Sequence, residues 1–306
     1  MNETALLINT ALASGTTLAL AALGLLINER AGVLNLGAEG MMLVAAVAGF
    51  ATALLTGSDT LGFVAAAAAG AALAAVFGLL VIFLNTNQYA TGLALSLFGY
   101  GFSAFVGVAM VGKSLSPRQQ YAMPVLSDLP FVGPAFFSHH AMVYVAMALT
   151  AAVAWFFYRT RAGLLLRAIG ENPEPAHALG YPVRLIRLAA VCTGGALCGL
   201  AGAYVSLVTA PLWVEGLTAG RGWIALALTV FATWRPARAL LGAYLFGGVT
   251  VLQLSLQAEG VQISSHLLTM LPYVATIVVL AVISRNAAFI RLNMPASLGR
   301  PFRPGS

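Results

Sequence analysis

Apolar runs of about 20 residues recur along the chain, near 5–27, 36–55, 62–84, 90–112, 140–158, 188–208, 217–233, 238–256 and 265–284, with polar or Gly/Pro-bearing stretches between them. At 1.5 Å per residue, a helical run of that length crosses the ~30 Å hydrocarbon layer. The runs do not alternate in polarity, as 64–84 shows, so they do not read as the strands of a membrane β-barrel. The pattern predicts an all-α polytopic membrane protein with about nine transmembrane helices. The seventh run, 217–233, is short and opens on Gly220, Arg221 and Gly222; it reads as a broken or re-entrant helix.

Composition agrees. Only 8% of the 306 residues are charged and 60% are hydrophobic, with a mean hydropathy of +0.92, too apolar for a soluble protein with a solvated face. Charge then sets the expected orientation, because cytoplasmic loops collect Lys and Arg. An internal C-terminus places Arg30, the five arginines of 159–187, Arg235, Arg238, Arg285, Arg291, Arg300 and Arg303 inside, and leaves Lys113, Arg118 and Arg221 outside. The N-terminus is then external; it carries Glu3 and no basic residue, unlike the head of a signal peptide. The net charge of +6 is thus explained by the membrane, and no nucleic acid is called for.

Several chemistries are excluded. Cys192 and Cys198 lie six apart in one apolar run, poorly placed to pair. His139, His140, His177 and His266 show no metal-ligand spacing, so no metal site is expected. No catalytic carboxylate pair, Ser/His/Asp set or GxxxxGK[ST] loop is present; ATP hydrolysis, with its Mg, must sit on a partner, and the chain itself needs no cofactor. Most of the nine acids lie in loops or near span ends. A carrier driven by an ion gradient, the alternative class, would place acids deep in its spans.

Two polar patches interrupt the apolar pattern. Residues 27–40 read INERAGVLNLGAEG and bring Asn35, Gly37, Glu39 and Gly40 to the head of an apolar helix; residues 215–223 read EGLTAGRGW and do the same with Gly220, Arg221, Gly222 and Trp223. A carboxylate there either faces a cavity or partner or rests at a helix N-terminus, stabilised by the dipole and interfacial water. Each patch follows a full crossing, and those crossings run in opposite directions, as in an inverted repeat whose broken helices meet near the midplane and offer N–H groups to a polar solute. On this reading Glu39 and Arg221 flank the solute path and offset each other's charge. The bland alternative is close helix packing through small residues, the reading given to Gly195 and Gly199.

INERAGVLNLGAEGMMLVAA, RAIGENPEPAHALGYPVRLIRLAA and GRGWIALALTVFATWRPARALLGAYLFGG resemble, in order, three marked stretches of the inner-membrane permease subunits of ATP-binding-cassette importers, in the branch serving simple sugars, nucleosides and branched-chain amino acids. The variants look most like nucleoside permeases. The resemblance implies that the charged, solvent-facing loop 159–187 holds a coupling helix for the ATPase, with a loose EAAxxxG pattern matched by Glu174, Pro175, Ala176 and Gly180, and with Glu171 beside it. Pro175 departs from that pattern, but a Pro in the first turn is tolerated. The helix is expected to start near Glu174 and stop before Gly180, with Pro182 preventing continuation.

The resemblance further implies a multi-pass protein of the bacterial inner membrane and half of a translocation path for a nucleoside or simple sugar. Its implied partners are ATPase subunits, a second permease chain, by the nucleoside likeness a heterodimer partner, and an extracytoplasmic solute-binding protein. Residues 1–290 would form the permease domain and 291–306 a loose cytoplasmic tail. The Pro- and aromatic-rich connection 113–139 suits a short surface helix or cap for the binding protein.

Overall fold

The structure, a computed structural model, describes residues 3–116, 121–122, 132–258 and 293–303, with isolated positions between 259 and 292. Its helices are α1 (Glu3–Arg30), α2 (Ala38–Thr56), α3 (Asp59–Gly78), α4 (Gln88–Gly107), α5 (Val132–Phe136), α6 (Ala141–Arg159), α7 (Arg161–Glu171), α8 (Pro173–Ala178), α9 (Val183–Tyr204), α10 (Arg221–Phe231) and α11 (Pro236–Ala258). Single wide turns, Leu79–Phe83 and Val205–Thr209, prolong α3 and α9. A two-residue antiparallel ladder joins β1 (Tyr121–Ala122) to β2 (Ser138–His139). Among the described residues, seven helices are long and apolar enough to cross a membrane, matching the first six predicted runs and the eighth. The run 265–284 lies outside the described residues.

Helix starts follow side-chain chemistry. Ser58, Asn87, His140, Thr160 and Asn172 each accept a hydrogen bond from a backbone N–H in the first turn of the helix they precede, filling donors that have no intrahelical partner. Packing follows small residues. A Cβ at Gly70 of α3 would collide with backbone of Gly195 and Gly199 of α9, so those two helices touch main chain to main chain, as expected for that glycine pair. Cys192 and Cys198 are both free thiols.

Contacts separate the two ends of the bundle. At one end the Asn9 side chain donates to Pro134 O and Ser138 O, and Ser114 bridges to Leu212. At the other, Arg30 donates to Trp234 O and the α7 C-terminus abuts the turn at Gly32. The expected external cap has one counterpart among the described residues, the five-residue α5.

The run 217–233 is broken, in keeping with its short length and Gly-rich head: α10 has 11 residues, about 16 Å or half the hydrocarbon thickness, preceded by irregular backbone from Ala210 to Gly220. Arg221 heads this helix, one α10 length from the Trp234 end. Two expectations need correction. Loop 159–187 is not one solvent-facing loop, because α7 buries Leu166 in the main core and Ile169 in a smaller cluster with Ala176 and Val183. The tail, expected to be loose, is docked over its described residues 293–303. Phe302 is buried with Ile169, Ala176 and Val183, and the Ser297 N–H and hydroxyl both donate to Gly170 O.

Candidate functional site

The two polar patches meet. Glu39, in the first turn of α2, is 1% exposed, and its carboxylate receives four donors from elsewhere in the chain. The N–H of Gly220 reaches Oε1 at 2.8 Å and the N–H of Gly222 reaches Oε2 at 2.5 Å. The Thr218 hydroxyl donates to Oε1 at 2.5 Å and the Tyr100 hydroxyl at 3.3 Å. Glu39 thus caps the N-terminus of α10 across the fold while sitting in the first turn of α2, so the orphan donors of α10 are filled and two helix N-termini face one side chain. The break is shaped for it: Ala219 and Gly220 are both left-handed, φ +49° and +79°. For Ala219 that conformation costs roughly 1–2 kcal/mol.

The opposite end of α10 is held by the same patch. The Trp234 indole N–H donates to Glu29 Oε2, and Arg30 donates through Nε and Nη2 to Trp234 O at 3.2 and 3.1 Å. Thr233 and Trp234 are again left-handed, φ +50° and +55°. Such strain needs support from its surroundings, and here the bonds from Glu29 and Arg30 supply it. The irregular residues 31–37 between the two carboxylates span the length of α10, with Leu34 N–H donating to Gln88 Oε1 and Gly37 N–H to Asn35 Oδ1. Residues 28–40 are therefore a clamp around α10.

Of the expected path residues, Asn35, Gly37, Glu39, Gly40 and Gly222 are buried within this chain. Added carbons at Gly40 and Gly222 would overlap Leu95 O at 2.5 Å and the Glu39 backbone at 2.7 Å. Gly220 and Arg221 are half-buried and Trp223 is 38% exposed. Arg221 donates to Leu217 O and Thr218 O at 3.2 and 3.5 Å. Sequence reasoning missed Glu29, Trp234, Thr218 and Tyr100; the first two lie inside the marked stretches, and that was the available signal.

On the α7–α9 platform, α8 carries Glu174, Pro175 and Ala176, the residues expected to form a coupling helix. Asn172 Oδ1 accepts from Glu174 N at 3.1 Å, and Pro173 and Pro175 occupy the first turn, where no N–H is required. The helix ends on Gly180, φ +86°, with Gly180 N donating to His177 O and Tyr181 N to Ala176 O, the paired bonds of a Schellman cap. Glu174, Pro175 and Gly180 are exposed and Ala176 is buried, so the predicted helix stands where expected with Leu179 outermost at 78% exposure. Glu171 accepts from Ala296 N at 3.2 Å.

The platform is bolted to the clamp. Arg187, 2% exposed, donates to Ser297 Oγ at 2.9 Å and to Ile169 O at 3.4 Å. A Cβ at Gly170 would strike Arg30 O, and one at Gly32 would strike Ser297 Oγ. Main chain thus meets main chain from α8's platform to the Arg30–Gly32 turn, and from there Glu29 and Arg30 hold α10.

The family model described as branched-chain amino acid transport system / permease component matches residues 7–284. The chain belongs to this permease family. It is 43% identical over 321 aligned residues, covering 97% of both chains, to the putative glucose ABC transporter permease protein TsgC13 of Haloferax volcanii. It is 32% identical to the nucleoside ABC transporter permease protein NupC of Lactococcus lactis, over 92% of this chain and 93% of that one. With the guanosine ABC transporter permease protein NupQ of Bacillus subtilis identity is 31%, over 94% and 93%. No solved structure matches the permease significantly. Seven apolar helices and this family make it a multi-pass membrane protein, a transporter permease with relatives named for sugars and nucleosides.

Proposed function

We propose that this permease forms half of the translocation path of an ATP-driven importer in the inner membrane, with its C-terminus in the cytoplasm, and carries a simple sugar or a nucleoside. Relatives at near-full coverage are named for glucose and for nucleosides, so both substrate classes stand. The observation that carries the reading is the unbroken contact from α8 through the Gly170–Gly32 junction to α10. A docked ATPase pushing on α8 acts on a short helix whose ends are both held by residues 28–40, and it moves that helix without any chemistry in this chain. Arg221 and Trp223 are the best-placed candidates to meet the solute, since they are the accessible side chains at the head of α10. A second permease chain, in a heterodimer, closes the path, and a solute-binding protein delivers from the other face.

The test is Glu174→Arg and Gly180→Trp, each in well-inserted protein. Glu174→Arg alters an exposed position of α8 and leaves its buried face intact, while Gly180→Trp also strains the left-handed cap that ends the helix, so loss of ATPase co-purification and of solute-stimulated hydrolysis is expected in both. Unchanged docking and hydrolysis in both variants would overturn the coupling assignment. Uptake that survives removal of the ATPase would point instead to a carrier driven by an ion gradient.

A further inference from the structure

Four arginines from three separate parts of the chain converge at the Trp234 end of the bundle. Arg30, Arg167, Arg235 and Arg238 line one cavity of about 530 Å³, together with Tyr158 and Asn293. Arg30 lies within electrostatic range of both Arg167 and Arg235, whose charges oppose its own, and of Glu171, which offsets part of that. Glu29 is close but committed to Trp234. No acid is among the described residues lining the cavity. Arg30 is fixed on Trp234 O, Arg238 Nη1 donates to Thr233 Oγ1 at 2.9 Å, and Arg167 lies over the Tyr158 ring at 5.4 Å. Arg235 is exposed. Gathering like charges is unfavourable unless an anion joins them, and forked guanidinium groups suit a phosphate.

The cavity adjoins a second, apolar one. Arg238 also begins an apolar groove of about 290 Å³ that climbs one face of α11 past Leu241, Gly242 and Leu245, with Phe231 of α10 as its wall. Leu241 and Leu245 are 68% and 55% exposed, and on neighbouring α6 Trp155 and Tyr158 are 63% and 51% exposed, aromatic residues of the kind that mark a headgroup boundary. A polar, four-arginine chamber beside an apolar groove, the two meeting at Arg238, suits a headgroup with an acyl chain. We propose that the permease binds one anionic phospholipid here, its phosphate among Arg167, Arg235 and Arg238 and a chain along Leu241 and Leu245. This assignment is independent of which solute is carried.

The assembled transporter, exchanged into mixed phosphatidylglycerol and phosphatidylcholine vesicles and then analysed by native mass spectrometry, should retain phosphatidylglycerol preferentially. R235Q/R238Q should lower that retention about tenfold or more, the scale of two interfacial cations. Leu241→Trp, which fills the groove and leaves the arginines, should lower lipid retention as well. Three results would overturn the proposal. One is no preference for the anionic lipid, or a preference untouched by R235Q/R238Q. Another is thermal stabilisation by inorganic phosphate equal to that by phosphatidylglycerol and indifferent to Leu241→Trp, which marks a small-anion site. The third is loss of ATPase co-purification in R235Q/R238Q with lipid retention intact, which marks a protein contact.

Discussion

Glu29 and Glu39 are the same residue type, ten positions apart, each 1% exposed and each fixed to one end of α10, yet they are held in opposite ways. Glu39 is saturated, with four donors shared between its two oxygens. Glu29 has the Trp234 indole on Oε2, and its Oε1 has no partner among the described residues. Two of the donors to Glu39 are backbone N–H groups of a helix start, which cannot turn away without unwinding the helix. The donor to Glu29 is one side chain on a strained turn. An unpartnered buried carboxylate oxygen is costly, so this end of α10 is the one whose alternative arrangements are least penalised. It is also the end joined to the α7–α9 platform on which α8 sits. The contrast assigns a fixed pivot to Glu39 and a movable end to Trp234.

The largest expected effect is at the pivot. Glu39→Ala strips an acceptor from two N–H groups and two hydroxyls, and should cost on the order of 3 kcal/mol or more, read as a sharp fall in folded yield and Tm. A folded, fully stable Glu39→Ala protein would remove the distinction between the two ends. Gly222→Ala comes next, because its Cβ would press on Glu39 at 2.7 Å. It should cost about 1–3 kcal/mol, the range for overpacking, and slow uptake at near-normal expression. Trp234→Phe keeps the ring and removes the N–H; a loss of about 1–3 kcal/mol, with ATP hydrolysis less tightly linked to solute, would sharpen the movable-end assignment. Transport and coupling both unchanged would break it. The smallest change is Ser297→Ala, which loses the hydroxyl bonds to Gly170 O and Arg187. About 1 kcal/mol is expected, visible as reduced coupling ratio in reconstituted transporter with ATPase binding intact.

The span pattern and α8 were legible because their causes are local: a run long enough for the bilayer, an Asn–Pro start and a Gly–Tyr–Pro stop. That patches 27–40 and 215–223 belong together was also legible, since both break an apolar pattern in the same manner. Their mode of union was not. The acid is bonded to main-chain N–H groups some 180 residues away, and a backbone donor leaves no residue-type signature. Proline in 291–306 suggested loose chain, but docking there depends on Ser297 and Phe302 meeting Gly170 and Ala176 from another part of the sequence.

The burial of α1 bears on how the protein is made. Apolar around most of its circumference and about three-quarters enclosed over its most apolar stretch, it lies against α9, α10 and α11, with Gly15 and Gly247 in main-chain contact. All three partners emerge from the ribosome long after it. Until then α1 must wait among lipids, and a helix apolar on most sides is suited to that wait. Its Asn28–Arg30 end stays without Trp234 until most of the chain has been synthesised, so assembly of the polar clamp is the step at which an inserted set of helices becomes a transporter subunit.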